Sequence, residues 1–308
     1  MTTVETPLAR SFDALALTVL QRDWLSSNHI VFRASGGRGA VVVDTGYDSH
    51  SALSCALIEH ALHGEPLARI VNTHLHSDHC GGNAALQARH ACETWVPQPS
   101  FDAVRAWDMQ ALSFDQLDQV CRRFSASHAL AAGSSIELGG QLWQAHAAPG
   151  HDPDALMFFQ PEARVLITGD ALWEDRVAII FPELEGGSGF AEANAALDVI
   201  EALNPAIVIP GHGRPFNGVA GALAQSRARL ARFAAEPASH VRYAWRALVM
   251  FHLLARQPVA RSALIEWMAQ APLFVRLGGG PAQADTVIEG LLRDGVLAQD
   301  AQQQLSVQ

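Results

Sequence analysis

The chain has 308 residues, of which 49% are hydrophobic, and a formal net charge of −10 at pH 7. This composition can fill a substantial core, which argues against a disordered chain and is enough for one large domain or two. The acidic balance disfavours nucleic acid and anionic membranes as partners, and the absence of lysine excludes lysine-based Schiff-base chemistry.

The N-terminus and the cysteines favour a cytoplasmic protein. The first ten residues, MTTVETPLAR, contain a glutamate and no apolar run of signal-peptide length, and no stretch approaches 18 uninterrupted apolar residues. The four cysteines have neither CxxC spacing nor the density of a disulfide framework, so we expect reduced thiols. They are Cys55, Cys80, Cys92 and Cys121.

Short apolar runs alternate with helical segments over the first 220 residues. Each run has a core of four or five mostly β-branched residues, which is too short for a helix and suits a strand buried on both faces. The runs are GAVVVDTGY (39–47), ARIVNTH (68–74), ARVLITGD (163–170) and PAIVIPGHG (205–213). Residues 48–64, 82–91 and 189–204 have helical patterning. This order predicts an α/β fold, which usually places its site at the ends of such strands.

The character of the chain changes after about residue 220. Three helical segments are followed by the glycine break GGGP (278–281), a further helix and a segment, 296–307, that can close as a hairpin. From residue 221 onward nine arginines face six acidic residues, a net charge of +3. We therefore predict two domains, at residues 1–220 and 221–308, the second mostly helical and similar to a winged-helix module.

The segment THLHSDHCGG (73–82) concentrates ligand-type side chains in six positions. His74 and His76 are one residue apart on an extended segment, so both imidazoles point to the same side. Asp78 and His79 follow directly, where the chain turns towards two glycines. This cluster favours a metal site over an accidental group of polar residues in a loop.

Three further ligand-type residues lie in glycine turns: His151 in APGHDPDA, Asp170 in LITGDALW and His212 in IPGHGRP. Together with the first cluster they make seven such side chains on four loops, which is what two metal ions need. Three histidines and a shared carboxylate could hold one ion, and an aspartate, two histidines and the same carboxylate could hold the other. The alternative is that all seven are turn or capping residues, and the remaining histidines are interpreted as surface or core residues.

In the order and spacing of these motifs the chain resembles the metallo-β-lactamase-fold superfamily, and within it the glyoxalase II-like hydrolases, over about residues 15–220. The resemblance implies an αββα sandwich. It places one metal on His74, His76 and His151, a second on Asp78, His79 and His212, and Asp170 between them. The tail is similar to that of the lactamase-beta-like protein 2 group. Class B1 β-lactamases have a cysteine in place of Asp170, which disfavours an antibiotic substrate.

The chemistry expected of this ligand set is hydrolysis. Two divalent ions can hold a hydroxide between them and polarise a substrate oxygen. We expect these ions to be zinc, and iron or manganese would be compatible with the same ligands. Asp78 has a second expected role, orienting that hydroxide or passing a proton to the leaving group. Asp44 is similar to the family's aspartate that accepts a hydrogen bond from a ligand imidazole, or it is an ordinary turn residue. Trp173 is the first choice among pocket residues, and 173–189 is predicted to be a loop over the site. The other pocket candidates are Tyr47, Arg176, Phe181, Arg214 and Phe216.

Three functions remain open from the sequence. The first is a binuclear metallohydrolase that acts on a small carbonyl ester, thioester or lactone; the lack of lysine makes a glutathione thioester a poor fit. The second is a phosphodiesterase or ribonuclease, against which the overall charge argues. The third is a metal-holding regulatory protein or an iron-bearing redox protein. The tail could serve as a homodimer surface or as a wall of the pocket.

Overall fold

The computed structural model describes residues 7–22, 24–114 and 119–308. These residues divide into two compact units: one comprises residues up to 112 and from 120 to 230, and the other comprises 113, 114, 119 and 231–308. The predicted division at residue 220 falls inside a helix, Val219–Ala235. The domain assignment itself stays a prediction.

Two β-sheets form the centre of the first unit. The six-stranded sheet has the strand order β1(Leu17–Leu20), β2(His29–Phe32), β3(Ala40–Val43), β4(Leu67–Val71), β5(Glu93–Pro97) and β6(His128–Leu130). The five-stranded sheet has the order β11(Ile207–Pro210), β10(Val165–Gly169), β9(Leu156–Gln160), β8(Gln141–Ala147) and β7(Ser135–Leu138). Strands β3 to β6 run parallel, as do β10 and β11, and the other neighbours are antiparallel.

Helices connect and flank these strands. They are α1(Pro7–Ala14), a short 3-10 helix (Asp48–His50), α2(Ser51–Leu62), α3(Ser77–Cys80), α4(Asn83–Arg89), α5(Phe101–Ala106), α6(Phe181–Leu184), α7(Gly189–Leu203) and α8(Val219–Ala235). The four strands and three helices predicted for this region correspond to β3, β4, β10, β11, α2, α4 and α7. The predicted loop 173–189 contains one short helix, α6.

The packing explains why the predicted strands have unbroken apolar sequences. In β3, Val41 and Val43 point into the core between the two sheets, whereas Val42 packs on the outer side against Ile58 of α2. Successive side chains of a strand point to opposite faces, so a strand covered on both faces has no polar alternation. Helices α7 and α8 cover the outer face of the second sheet in the same way. The predicted αββα sandwich is confirmed.

The second unit is mostly helical. It contains α9(Pro237–Arg256), β12(Val259–Ala260), α10(Arg261–Gln270), α11(Pro272–Arg276), α12(Pro281–Arg293), β13(Leu297–Gln299) and β14(Gln304–Val307). β13 and β14 form the expected hairpin, and β12 pairs with the other side of β14. None of the helices in the described ranges is long and apolar enough to cross a lipid bilayer.

His29 in β2 is a titratable residue in the core of the first unit. Its side chain is fully buried, and its Nε2 lies 3.0 Å from Ser54 Oγ and 3.3 Å from Arg22 Nη1. Burial, with the positive charge of Arg22, lowers the pKa of His29 to about 3. The imidazole is therefore neutral in the folded protein and accepts a proton readily only after unfolding.

We expect this histidine to make the protein sensitive to acid. Because the folded pKa lies below the unfolded value of 6.5, the stabilisation is complete above pH 6.5 and is lost as the pH falls towards 3. Between pH 7.5 and 5 the wild type should lose about 2 kcal/mol of unfolding free energy through this group. Urea denaturation at the two pH values, repeated with His29→Gln, measures the contribution. An equal loss in both proteins would contradict the prediction.

Candidate metal centre

The structure brings all seven predicted ligand residues into one site at the ends of the strands. Four come from the segment after β4, where the chain passes through His74 and His76 into α3. The others follow β8, β10 and β11. Most of these side chains are buried, so the site lies below the protein surface. The buried ones are His74, His76, His79, Asp170 and His212.

Three histidines form the first group that could hold a metal ion. One ring nitrogen from each of His74, His76 and His151 lies within 4.8 Å of the others. His76 Nδ1 and His151 Nε2 are 2.7 Å apart. His74 Nε2 is buried and has no hydrogen-bond partner in the part of the chain that the structure describes. A buried ring nitrogen without a partner is costly unless something else, such as a cation, binds its lone pair.

Asp78, His79 and His212 form a second group with the same spread of ligand atoms. His212 Nε2 lies 3.1 Å from Asp78 Oδ2, and His79 Nε2 lies 4.0 Å from the same oxygen. One carboxylate and two imidazoles are a donor set that zinc, iron and manganese accept.

Asp170 lies between the two groups. Its Oδ2 is 3.4 Å from His151 Nε2, whereas its Oδ1 is 3.3 Å from His79 Nε2 and 3.9 Å from His212 Nε2. Gly211 leaves room for the Asp170 carboxylate, because a Cβ on residue 211 would overlap Asp170 Oδ1 and lie 2.8 Å from His79 Cε1. The first glycine of the segment PGHG (210–213) is therefore required for close approach of the backbone to the site.

Neighbouring polar groups contact the second ring nitrogen of two of these histidines, His79 and His151. His79 Nδ1 lies 2.8 Å from Asp44 Oδ2, and Asp44 also accepts hydrogen bonds from the backbone N–H and hydroxyl of Thr73. His151 Nδ1 donates to the Ile179 carbonyl at 2.6 Å. A hydrogen bond at one ring nitrogen leaves the other nitrogen as the lone-pair donor, which is how metal-ligating histidines are usually oriented.

The protonation states of His74, His76 and Asp170 also suit a cation. Burial lowers the pKa of His74 well below its usual value, and burial together with His151 lowers the pKa of His76 to about 3. Both rings are therefore neutral at pH 7, the form that binds metals. Burial opposes ionisation of Asp170, yet the adjacent His79 and His212 lower the pKa of its carboxyl well below the usual range. Burial opposes protonation of His79, but the nearby carboxylates, Asp170 first, raise its pKa well above the usual value, so a metal ion would have to displace a proton there. The donor set as a whole fits divalent metal ions.

A cavity opens beside His212, and the predicted pocket residues divide between this cavity and other places. Trp173, Arg176 and Arg214 line it. Phe181 instead lies against the other end of the site, with its ring 5.2 Å from that of His76 and 5.4 Å from that of His151. Tyr47 and Phe216, also considered from the sequence, are buried and are not among the described residues that line the cavity.

Sequence reasoning missed three residues of the loop between β1 and β2. Arg22 and Trp24 line the same cavity. Asn28 is fully buried and donates through Nδ2 to the carbonyls of Pro210 and Gly213, on either side of His212. The only signal was the segment 22–29, where polar and aromatic residues interrupt the apolar pattern between two strands.

Comparison with known proteins identifies the family of the chain. Residues 22–212 match the model of the Metallo-beta-lactamase superfamily. A hydroxyacylglutathione hydrolase from Anaeromyxobacter dehalogenans (strain 2CP-C) is 30% identical over 226 residues, which cover 71% of this chain and 76% of that protein.

Solved structures with the same fold cover nearly the whole chain. A metallo-beta-lactamase family protein from Thermus thermophilus has a TM-score of 0.55 at 18% identity, covering 95% of this chain and 99% of that one. A beta-lactamase domain protein from Burkholderia ambifaria has a TM-score of 0.58 at 21% identity, covering 94% of this chain and 91% of that one. The family match and the homologous sequence together show that the chain belongs to the metallo-beta-lactamase superfamily.

Proposed function

We propose that this protein is a binuclear metal-dependent hydrolase that acts on a carbonyl ester, thioester or lactone. The observation that carries the proposal is the position of Asp170, whose two carboxylate oxygens face different ligand groups. A relative that is named hydroxyacylglutathione hydrolase supports a thioester or a related acyl substrate. The donor set of imidazoles and carboxylates accepts zinc, iron or manganese without selecting among them, and zinc is the ion that we propose.

His74, His76 and His151 would hold one ion, Asp78, His79 and His212 the other, and Asp170 would contact both. Divalent ions bound there supply Lewis-acid activation of a water molecule and of the substrate's carbonyl oxygen. The residues around the site keep its geometry. Asp44 holds the tautomer of His79, and Trp173 Nε1 donates to Asp170 Oδ1 at 3.2 Å.

Asp78 is the residue that we assign to proton transfer. Its side chain is 15% exposed, more than the neighbouring His79, and its Oδ2 points towards His212. A carboxylate at the edge of the site can accept a proton from the attacking water and deliver it to the leaving group.

Metal analysis of protein purified without chelator is the first test. We expect about two divalent ions per chain, and removal by a chelator should abolish turnover until zinc or another divalent ion is returned. A content near zero in protein never exposed to chelator would contradict the metal assignment.

A substrate panel then tests the reaction. Thioesters, lactones, aryl esters and bis-p-nitrophenyl phosphate should be compared at equal metal loading. Turnover of the carbonyl compounds supports the proposal. Turnover of the phosphodiester alone would contradict it and favour the phosphodiesterase function.

A further inference from the structure

The cavity beside His212 has a volume of about 350 Å³, within the range of small-molecule sites. Three arginines and two tryptophans make up half of the residues that line it. The residues that matter here are Arg22, Trp24, Trp173, Arg176, His212 and Arg214.

Two indole rings flank the metal-site histidine on the cavity side. The ring centroid of Trp24 lies 6.0 Å from that of His212, and the ring centroid of Trp173 lies 5.2 Å from it. Trp173 is buried and its N–H is engaged by Asp170, so its ring orientation is held. Two indoles beside the reacting centre form a wall suited to a flat apolar or aromatic group.

The described charged residues around the cavity have a positive balance, with three arginines against Glu174 and Asp175. Arg214 pairs with Glu174 at 2.8 Å, so its charge is compensated. The exposed side chain of Arg176 forms no ion pair within the described ranges of the chain. An acidic protein repels anions at long range, so an anion is retained here only through such local cations.

The arrangement is held before any ligand arrives. Arg22 Nη1 donates to Ser54 Oγ at 3.2 Å and contacts neutral His29. Asn28 ties the loop that carries Trp24 to the loop that carries His212, through its side chain and through its N–H, which donates to the Gly211 carbonyl at 2.7 Å. A preformed subsite loses less conformational entropy on binding.

We propose that this cavity binds a flat, aromatic part of the substrate that carries an anionic group, with the ring against Trp24 and Trp173 and the anion at Arg176. The inference rests on the proposed hydrolase function and names its substrate class: an ester or thioester with an anionic aryl portion. A carboxylate and a phosphate-like group share the recognition chemistry.

Pairs of substrates that differ only in charge test whether the cavity prefers an anionic group. We compare kcat/KM for 4-carboxyphenyl acetate with its neutral counterpart 4-carbamoylphenyl acetate, and, for charge on the acyl side, monophenyl terephthalate with its primary amide. The wild type should prefer the anionic member of at least one pair by about five- to tenfold, less at high salt because exposed charges are screened. 4-Phosphonophenyl acetate distinguishes a phosphate-like group from a carboxylate.

Two variants assign the preference to the cavity. In Arg176→Ala the anionic-to-neutral ratio of kcat/KM should fall by about fivefold, whereas Arg105→Ala, which removes an exposed arginine of α5 outside the cavity, should keep the wild-type ratio. In Trp24→Ala the ratio of kcat/KM for phenyl thioacetate over ethyl thioacetate should fall by a similar factor.

The outcomes separate this inference from the proposed function. Metal-dependent turnover without an anionic preference in either pair, or with a preference that Arg176→Ala leaves unchanged, overturns the inference and leaves the hydrolase intact. Failure of the metal-loaded protein to hydrolyse any ester or thioester overturns the proposed function, and with it the subsite. An anionic preference that Arg176→Ala removes supports both.

Discussion

Replacing Asp170 with alanine should lower kcat/KM by at least about a thousandfold and reduce the bound metal. Its carboxylate faces both ligand groups, with Oδ2 towards His151 and Oδ1 towards His79. Its removal would take one oxygen ligand from each of the two proposed ions and a negative charge from a site crowded with imidazoles. Metal content and kcat/KM, measured on the same preparation, check the prediction.

Two further variants make the Asp170 experiment interpretable. Asp170→Asn keeps the shape of the side chain and can still accept the Trp173 hydrogen bond, so a loss of activity in a folded Asn variant reports on the charge. Asp102→Ala removes a carboxylate that is 92% exposed on α5 and should behave as the wild type. Unchanged metal content and turnover in Asp170→Ala would exclude a bridging role.

Replacing Asp44 with asparagine should weaken metal binding by about 10- to 100-fold. Asp44 accepts hydrogen bonds from Thr73 and lies 2.8 Å from His79 Nδ1. An amide there places an NH₂ group against one of these donors. Turning His79 to the other tautomer would relieve the clash, but it would protonate the nitrogen that faces the site. The apparent metal affinity, measured by competition with a chelator, reports the effect.

Asparagine is also the substitution that the backbone tolerates at this position. Asp44 has φ +57°, a left-handed conformation that aspartate and asparagine adopt more readily than other residues with side chains. Asp44→Ala would combine backbone strain with the loss of the hydrogen bonds, whereas Asp44→Asn changes mainly the hydrogen bonding. Asp102→Asn is the matched exposed control. Wild-type metal affinity in Asp44→Asn would show that the contact with His79 does not orient a ligand.

The strands that could be predicted are those whose sequence is a short run rich in β-branched residues. In β3 and β11 every residue is buried, and an unbroken β-branched run is the direct result. Strands β1, β2 and β5 to β9 were missed. β2 and β9 are also buried throughout, but β2 has only four residues and begins with a histidine, and β9 (LMFFQ) contains no β-branched residue. Several of them are only three or four residues long, and others, such as β8, have mixed burial, so their sequences show neither an apolar run nor a long alternation.

The sequence by itself determined which residues to consider as metal ligands. Three histidines and an aspartate lie within six positions of the segment 74–79. On an extended backbone the spacing of His74 and His76 points both imidazoles to the same side. The remaining three, His151, Asp170 and His212, share a local pattern of a glycine turn. These patterns involve only residues that are adjacent in the sequence, so the candidate ligands can be recognised without knowledge of tertiary contacts.

Only the tertiary structure decided what surrounds those ligands. The contact of Asp44 with His79 joins residues 35 positions apart, and Asn28 joins the β1–β2 loop to a loop 182 positions further along the chain. Trp24 and Arg22 line the cavity because the two sheets pack face to face and bring the loops at their ends together. The physical reason is that packing between distant segments depends on the whole core, and no short sequence pattern records which loops will meet.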